Sequence, residues 1–148
     1  MTRANGSEAR HLVLVADDDR ETREVFQEAL EEAGYRVITA ANGAVALSLL
    51  QDCPAPSLVL LDLSMPVMSG WQVLETMAKS PALLGIPVIV ASASDDVPPG
   101  IAAALKKPFG QDQLLDVVRR CLTVTSSTIA EGRHLIVPLP RARARGSR

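Results

Sequence analysis

The sequence predicts an α/β protein, a doubly wound three-layer sandwich built around a five-stranded parallel sheet. Short runs rich in Leu, Val, Ile and Ala alternate with helical segments along about 110 residues, which is the pattern of successive strand–helix units. Strands that alternate with helices predict a parallel sheet with right-handed crossovers. Apolar residues make up 47% of the chain and aromatic ones only 3%, so we expect a core of aliphatic side chains.

The central strand is the clearest element. Residues 57–61 are apolar or small without interruption, and the run ends at Asp62 and is closed by Pro66 and Gly70. A continuous apolar run with such boundaries indicates a strand that is buried on both faces. Asp62 is therefore expected at the carboxyl edge of the sheet, where open α/β sheets bind ligands. Taken alone, a strand-ending Asp is more often only the cap of the next turn.

Four further strands and four helices complete the predicted pattern. The strands are 11–16, 35–40, 86–91 and 102–105, and the helices are 20–33, 44–51, 71–79 and 111–122. The first helix has Asp18 or Asp19 as its cap and Gly34 at its end. The periodicity of the third helix places Trp71, Leu74 and Ala78 on its inner face, with Val73 and Met77 beside them.

The connection between the fourth and fifth strands is unusually short. The segment from Ser94 to Ile101 contains Pro98, Pro99 and Gly100. It offers about eight residues to join two parallel strands, a connection that ordinarily takes at least about ten to twelve. We therefore expect a loop or a single turn in place of a full fourth helix.

The residues that follow the strands should meet at one edge of the sheet. They are Asp17 and Asp18 after the first strand, Asp62 after the third, Ser92 at the end of the fourth and Lys107 after the fifth. Three neighbouring carboxylates repel one another unless a cation joins them, and oxygen ligands of this kind suit Mg²⁺. An ammonium and a hydroxyl beside them can hold the oxygens of a phosphoryl group, which is a setting for acyl-phosphate formation.

Each of these residues also has an ordinary structural explanation. An acidic pair before a helix is often a cap, a strand-ending Ser is usually a packing residue, and a Lys before Pro is usually only exposed. Coincidence is a poor explanation for such residues at four strand ends of one sheet, and this favours a common site.

Four motifs occur in order between about Leu12 and Leu122. They are Val15-Ala-Asp17-Asp18-Asp19 followed by Arg23, Leu61-Asp62-Leu-Ser-Met65-Pro66 followed by Gly70, Pro87-Val-Ile-Val-Ala-Ser92-Ala93, and Lys107-Pro108-Phe109. In these motifs the sequence resembles the receiver domains of two-component response regulators, of the stand-alone type and with a shortened fourth helix. The resemblance implies a flavodoxin-like (βα)₅ fold for this part of the chain.

The resemblance also implies a function and the residues that perform it. Asp62 would accept a phosphoryl group from the phosphohistidine of a sensor histidine kinase, with Ser92 and Lys107 on the phosphoryl oxygens. The cofactor would be Mg²⁺, bound directly by Asp18, largely through water by Asp17, and further by Asp62 and the main-chain carbonyl of Ser64. Lys107-Pro108 would be a cis peptide and Asp19 a helix cap. Such a domain phosphorylates and dephosphorylates itself but is not an enzyme with a separate substrate.

Two departures from the family pattern leave an alternative open. The family couples phosphorylation to an aromatic residue on the fifth strand, but the matching residue here is Ala104, and the short connection removes part of the usual output surface. The alternative is a pseudo-receiver, which binds its partner regardless of phosphorylation. A phosphatase of the haloacid-dehalogenase type fits poorly, because the position of its general acid is Ser64 and no cap domain is evident.

The chain ends differ in charge from the body. Residues 132–148 carry five Arg and no acid, while the rest carry ten basic and 17 acidic side chains. We predict a flexible leader at 1–10, a receiver domain at 11–122, and a Ser/Thr linker with a basic tail at 123–148. The tail is expected to be disordered or, in a sharper reading, to contact nucleic acid or a partner, without forming a DNA-binding domain.

The predicted location is the cytoplasm. The sequence has neither an apolar stretch long enough for a membrane span nor a secretory signal. Cys53 and Cys121 are far apart and are expected to be reduced thiols. The expected partners are a sensor histidine kinase and a downstream protein that the sequence does not identify.

Overall fold

A computed structural model describes residues 11–52 and 55–131. The predicted leader, Cys53 and the basic tail from residue 132 onward lie outside the described residues. Within them, no helix combines the length and the apolar character needed to cross a membrane.

Five parallel strands form one sheet in the order β2-β1-β3-β4-β5. The strands are β1 (Leu12–Ala16), β2 (Arg36–Ala40), β3 (Leu58–Leu61), β4 (Val88–Ser92) and β5 (Ala103–Lys106). The chain moves outward to β2 first and then returns past β1 to β3, so the strand order reverses between β1 and β3. The predicted fold class is confirmed, and this reversal marks the position where such sheets bind ligands.

Four helices cover the two faces of the sheet. They are α1 (Arg20–Glu32), α2 (Gly43–Asp52), α3 (Gly70–Ala78) and α4 (Gln111–Glu131). Side chains from α1 and α4 share one buried cluster with the sheet, including Phe26, Leu30 and Leu114. Side chains from α2 and α3 form a second cluster on the opposite face, including Leu47 and Val73. The molecule therefore has the three predicted layers, with aliphatic side chains filling both interfaces.

The helix termini follow from local chemistry. The Asp19 side chain accepts the Thr22 backbone N–H at 3.0 Å, so Asp19 is the cap that the sequence predicts for α1. Gly34 follows the helix with φ 102°, a conformation that glycine adopts without a steric penalty. Ser69 and Gln72 form a reciprocal capping box at the start of α3.

No helix stands between β4 and β5, as predicted from the length of the connection. Residues 93–102 form turns and irregular chain. Pro98 and Ile101 of this segment are buried, and Ile101 joins the cluster of α2 and α3 on the sheet. An irregular segment thus covers apolar surface that a helix would otherwise cover.

Two predictions about helices were wrong. Helix α4 continues to Glu131, through the segment 123–128 that was expected to be a linker. The chain has neither Gly nor Pro between Gln111 and Glu131, and Gly132 comes next, so nothing in the sequence stops the helix earlier. Trp71 of α3 is 44% exposed and Ala78 is also exposed, whereas Val73 and Met77 face the core. The helix begins at Gly70, whose close contact with the sheet sets its rotation.

Candidate functional site

The acidic residues meet at the carboxyl edge of the sheet, where the strand order reverses. Ala16 of β1 pairs directly with Leu61 of β3, so the next residues, Asp17 and Asp62, stand side by side. The Asp62 N–H donates to the Ala16 carbonyl at 2.9 Å, which extends the ladder by one residue. The parallel register therefore brings together two acids that are 45 positions apart in the sequence.

Asp17, Asp18 and Asp62 form a cluster that could hold a metal ion. One carboxylate oxygen from each lies within 4.8 Å of the others. Asp17 and Asp62 are buried and Asp18 is exposed, so the cluster opens to solvent on one side. Carboxylates at this spacing fit a hard divalent cation such as Mg²⁺, which keeps several of its waters.

Lys107 brings a positive charge to the same cluster from the last strand. Its Nζ lies 2.8 Å from Asp17 Oδ2 and 3.7 Å from Asp62 Oδ2. Burial would lower the pKa of Lys107, but the hydrogen bond and charge of Asp17, aided by Asp62, raise it above the usual value. The ammonium therefore stays charged and offsets part of the repulsion among the acids.

Asp62 is held in a setting that disfavours its charged form. Burial raises the pKa of its carboxyl group, and the charges of Asp17 and Asp18 add to this. The Ser64 N–H, 3.2 Å from Asp62 Oδ1, and the Lys107 ammonium act in the opposite direction. A carboxylate with a raised pKa at a sheet edge is a candidate functional group rather than a structural cap.

Asp62→Asn is expected to raise the free energy of unfolding at neutral pH, because burial raises the pKa of the Asp62 carboxyl group and the folded state therefore disfavours its charged form. The amide keeps the shape of the side chain but removes a charge that the folded state disfavours. The gain should be full above the raised pKa, shrink as the pH falls through it, and vanish below the ordinary value of 3.8, where both states hold the proton.

Urea unfolding of both proteins at pH 7.5 and at pH 4.5 measures this difference. Asp96→Asn, a change at an exposed acid, serves as the control. An Asp62→Asn protein less stable than the wild type at pH 7.5 would contradict the expected charge penalty.

Ser92 ends β4 in the position that the sequence predicts. The residue is buried, and its Oγ accepts the Ser94 N–H at 3.1 Å. Its carbonyl accepts the Lys107 N–H at 2.9 Å, which ties the ends of β4 and β5 together. In the described part of the chain, the Ser92 hydroxyl makes no hydrogen bond to Asp62 or Lys107.

Two glycines allow close approaches of the main chain, and one of these approaches is at Asp62. A Cβ atom on Gly70 would lie 2.3 Å from the carbonyl oxygen of Asp62, and one on Gly43 would lie 2.3 Å from that of Met68. The sequence analysis used Gly70 only as a marker of the end of the strand motif. Neither composition nor periodicity indicates that Gly70 packs α3 against Asp62.

Two further contacts were missed by the sequence analysis. Arg23 Nη1 donates to the main-chain carbonyl of Asp17 at 2.8 Å. Phe26 and Phe109 stack with their ring centroids 5.4 Å apart. Arg23 and Phe109 belong to the quoted motifs, but nothing in the sequence alone indicates what either side chain contacts.

The strand order β2-β1-β3-β4-β5, with an acidic cluster at its switch point, is that of the flavodoxin-like class of doubly wound folds to which CheY belongs. The chain belongs to the response regulator receiver domain family of two-component systems, whose model matches residues 13–119. The Lys107–Pro108 peptide bond is cis, as the family resemblance implied.

The curated relatives include two transcriptional regulators. The regulator KdpE of Mycobacterium tuberculosis is 39% identical over 115 residues, which cover 73% of this chain and 49% of KdpE. The C4-dicarboxylate transport regulator DctD of Pseudomonas aeruginosa is 35% identical over 124 residues, covering 79% of this chain and 26% of DctD. This chain therefore spans about half or less of these two relatives.

Solved structures of receivers superpose on most of the chain. The chemotaxis response regulator CheY4 of Vibrio cholerae has a TM-score of 0.69 at 28% identity, covering 75% of this chain and 98% of that protein. The response regulator TrrA of Thermotoga maritima has a TM-score of 0.68 at 30% identity, with the same coverage of 75% and 98%.

Proposed function

We propose that the chain is a phosphorylatable receiver in which Asp62 accepts a phosphoryl group from a sensor histidine kinase. One observation carries the proposal. Lys107 extends from the far edge of the sheet to within 2.8 Å of Asp17 and 3.7 Å of Asp62, so a cation is held among three acids. A purely structural cluster gains nothing from bringing three like charges together, two of them buried, whereas a phosphoryl site needs this combination of charges.

The proposed cofactor is Mg²⁺, with Asp17, Asp18, Asp62 and the Ser64 main-chain carbonyl as its ligands. The oxygen-only donor set and the opening beside Asp18 support this choice. TrrA, which is 30% identical, was crystallised in complex with Mg²⁺ and BeF. When bound, Mg²⁺ would neutralise charge on the carboxylates and on the transferring group.

The protein residues have separate proposed roles in the reaction. A carboxylate oxygen of Asp62 attacks the phosphorus atom, and the bond from phosphorus to the donor's imidazole nitrogen breaks, so the electron pair leaves with the histidine. Lys107 and the Ser92 hydroxyl would bind the phosphoryl oxygens. The domain acts on its own side chain, and its output is recognition by a downstream protein in the cytoplasm rather than turnover of a separate substrate.

Acetyl phosphate labelling tests the proposal. With Mg²⁺ present, the wild-type protein should gain one phosphoryl group, detected by intact-protein mass spectrometry, and Asp62→Asn should gain none. Asp52→Asn, a change at an exposed acid at the end of α2, should label like the wild type. Chelation by EDTA should suppress labelling. Failure of the wild type to label, or equal labelling of Asp62→Asn, would refute the assignment of Asp62.

The pseudo-receiver alternative has one observation in its favour. Ala104 on β5 is half-buried beside a connection that contains no helix, so the aromatic switch of the family has no counterpart at this position. A partner that binds wild type and Asp62→Asn equally, with and without beryllofluoride, would support this alternative. A preference for the beryllofluoride complex of the wild type would support the phosphorylatable receiver.

A further inference from the structure

The only two phenylalanines of the chain stack on each other beside the site. Phe26 lies on α1 and Phe109 lies two residues after Lys107. The ring centroids are 5.4 Å apart and the ring planes are inclined by 13°. Phe26 is buried in the cluster of α1 and α4, and Phe109 packs against the same cluster. The stack therefore fixes the segment of main chain from which the Lys107 side chain extends.

Arg23 lies one helical turn before Phe26, on the same face of α1. Its Nη1 donates to the Asp17 carbonyl at 2.8 Å. The Asp17 carboxylate is held as well, because its Oδ1 accepts the Asp19 N–H at 2.9 Å while its Oδ2 faces Lys107 Nζ at 2.8 Å. One face of α1 thus contacts the main chain of Asp17 directly and the segment of Lys107 through Phe109.

We infer that Arg23 and Phe26 are positioning residues that set the contact between Lys107 and Asp17. Arg23 holds the main chain of Asp17, and Phe26, through Phe109, holds the segment that carries Lys107. A lysine side chain is long and flexible, so the place that its ammonium reaches depends on where the main chain is held. Helix α1 fixes both partners, although they come from the first and last strands of the sheet. The inference rests on the proposed function only for its effect on phosphoryl transfer.

Lysine modification of the metal-free protein tests the positioning itself. The side chain of Lys107 is 25% exposed, whereas those of Lys79 and Lys106 are 75% and 57% exposed. Residue-resolved mass spectrometry after brief acetylation gives the rate at each lysine. Phe26→Leu, which keeps an apolar side chain, should raise the rate at Lys107 roughly two- to tenfold, the range for loss of one aromatic pair. Arg23→Met should shift it in the same direction.

The controls separate positioning from general loosening of the fold. Leu115→Ala removes a half-buried side chain of α4 that packs against the same cluster, and it should leave the ratio of the modification rates of Lys107 and Lys79 unchanged. Asp17→Asn removes the ion pair between Lys107 and Asp17. The acetylation rate of Lys107 in this variant sets the upper limit for the other variants. If Lys107 is acetylated at the same rate in Phe26→Leu and Arg23→Met as in Leu115→Ala, the inference is overturned.

Phosphoryl transfer provides the second readout. Phe26→Leu should slow labelling by acetyl phosphate in the wild-type background and have no further effect in a Lys107→Met background, because it acts through that lysine. Additive losses in the double variant would count against the inference. If the wild type fails to label, the proposed function is refuted, and the Lys107 modification rates still decide whether α1 positions the lysine.

Discussion

Gly70→Ala is expected to lower the free energy of unfolding by about 3 kcal/mol, at the upper end of the range for overpacked sites. The new methyl group would meet the Asp62 carbonyl oxygen at 2.3 Å and the Leu63 Cα at 2.8 Å. Both are main-chain atoms, and the Asp62 N–H is bonded to the Ala16 carbonyl, so the strand cannot move aside without losing part of the ladder. Helix α3 must shift instead, which disturbs the packing of Val73 and Met77.

Gly85→Ala is the matched control for this prediction. A Cβ atom there would meet no heavy atom within 4 Å. Urea unfolding followed by circular dichroism should therefore give a midpoint near that of the wild type for Gly85→Ala and a clearly lower one for Gly70→Ala. Equal midpoints for the two variants would mean that the approach of α3 to β3 is looser than the structure has it.

Lys107→Met is expected to slow phosphorylation by acetyl phosphate about a hundredfold, the lower bound for removal of one preorganised charge-stabilising group. The methionine keeps the apolar stem and removes the ammonium that lies near both Asp17 and Asp62. Mg²⁺ affinity should rise in the same variant, because Asp17 Oδ2 loses its competing cation. Opposite changes in affinity and rate would distinguish a functional lysine from one that only stabilises the fold.

The neighbouring lysine provides the control. Lys106 is exposed and pairs with Asp95 on the β4–β5 connection, at 2.6 Å, instead of with the acidic cluster. Lys106→Met should label at the wild-type rate, as measured by single-turnover incorporation at saturating Mg²⁺. A wild-type rate in Lys107→Met would remove that residue from the proposed reaction.

Much of the fold could be predicted because β1, β3 and β4 are short apolar runs that end at a polar residue. The alternation of strands and helices along the chain then predicts a parallel sheet with helices on both faces. The absence of a helix between β4 and β5 followed from the length of the connection and from its Pro98, Pro99 and Gly100. The rotation of α3 did not, because Trp71 and Val73 are both compatible with a core position and the choice between them depends on how closely Gly70 approaches β3.

The positions of the candidate residues could be predicted to the extent that these residues follow strand ends. Asp17 and Asp62 follow paired residues of neighbouring strands, and such convergence can be read from a parallel sheet. The contacts of Arg23 and Phe26 could not be predicted in the same way. These contacts depend on which face of α1 lies against the segment that follows β5. Tertiary packing, rather than local sequence, determines that face.

The pair formed by Lys107 and Asp17 joins residues 90 positions apart in the chain. Contacts of such sequence separation carry a large loop-closure cost and form only after much of the intervening chain has been ordered. A nascent or partly unfolded chain that has formed β1 and β3 would already have its acids together but would lack their counter-charge. Completion of the site is therefore tied to the docking of β5, which is synthesised after the other four strands of the described sheet.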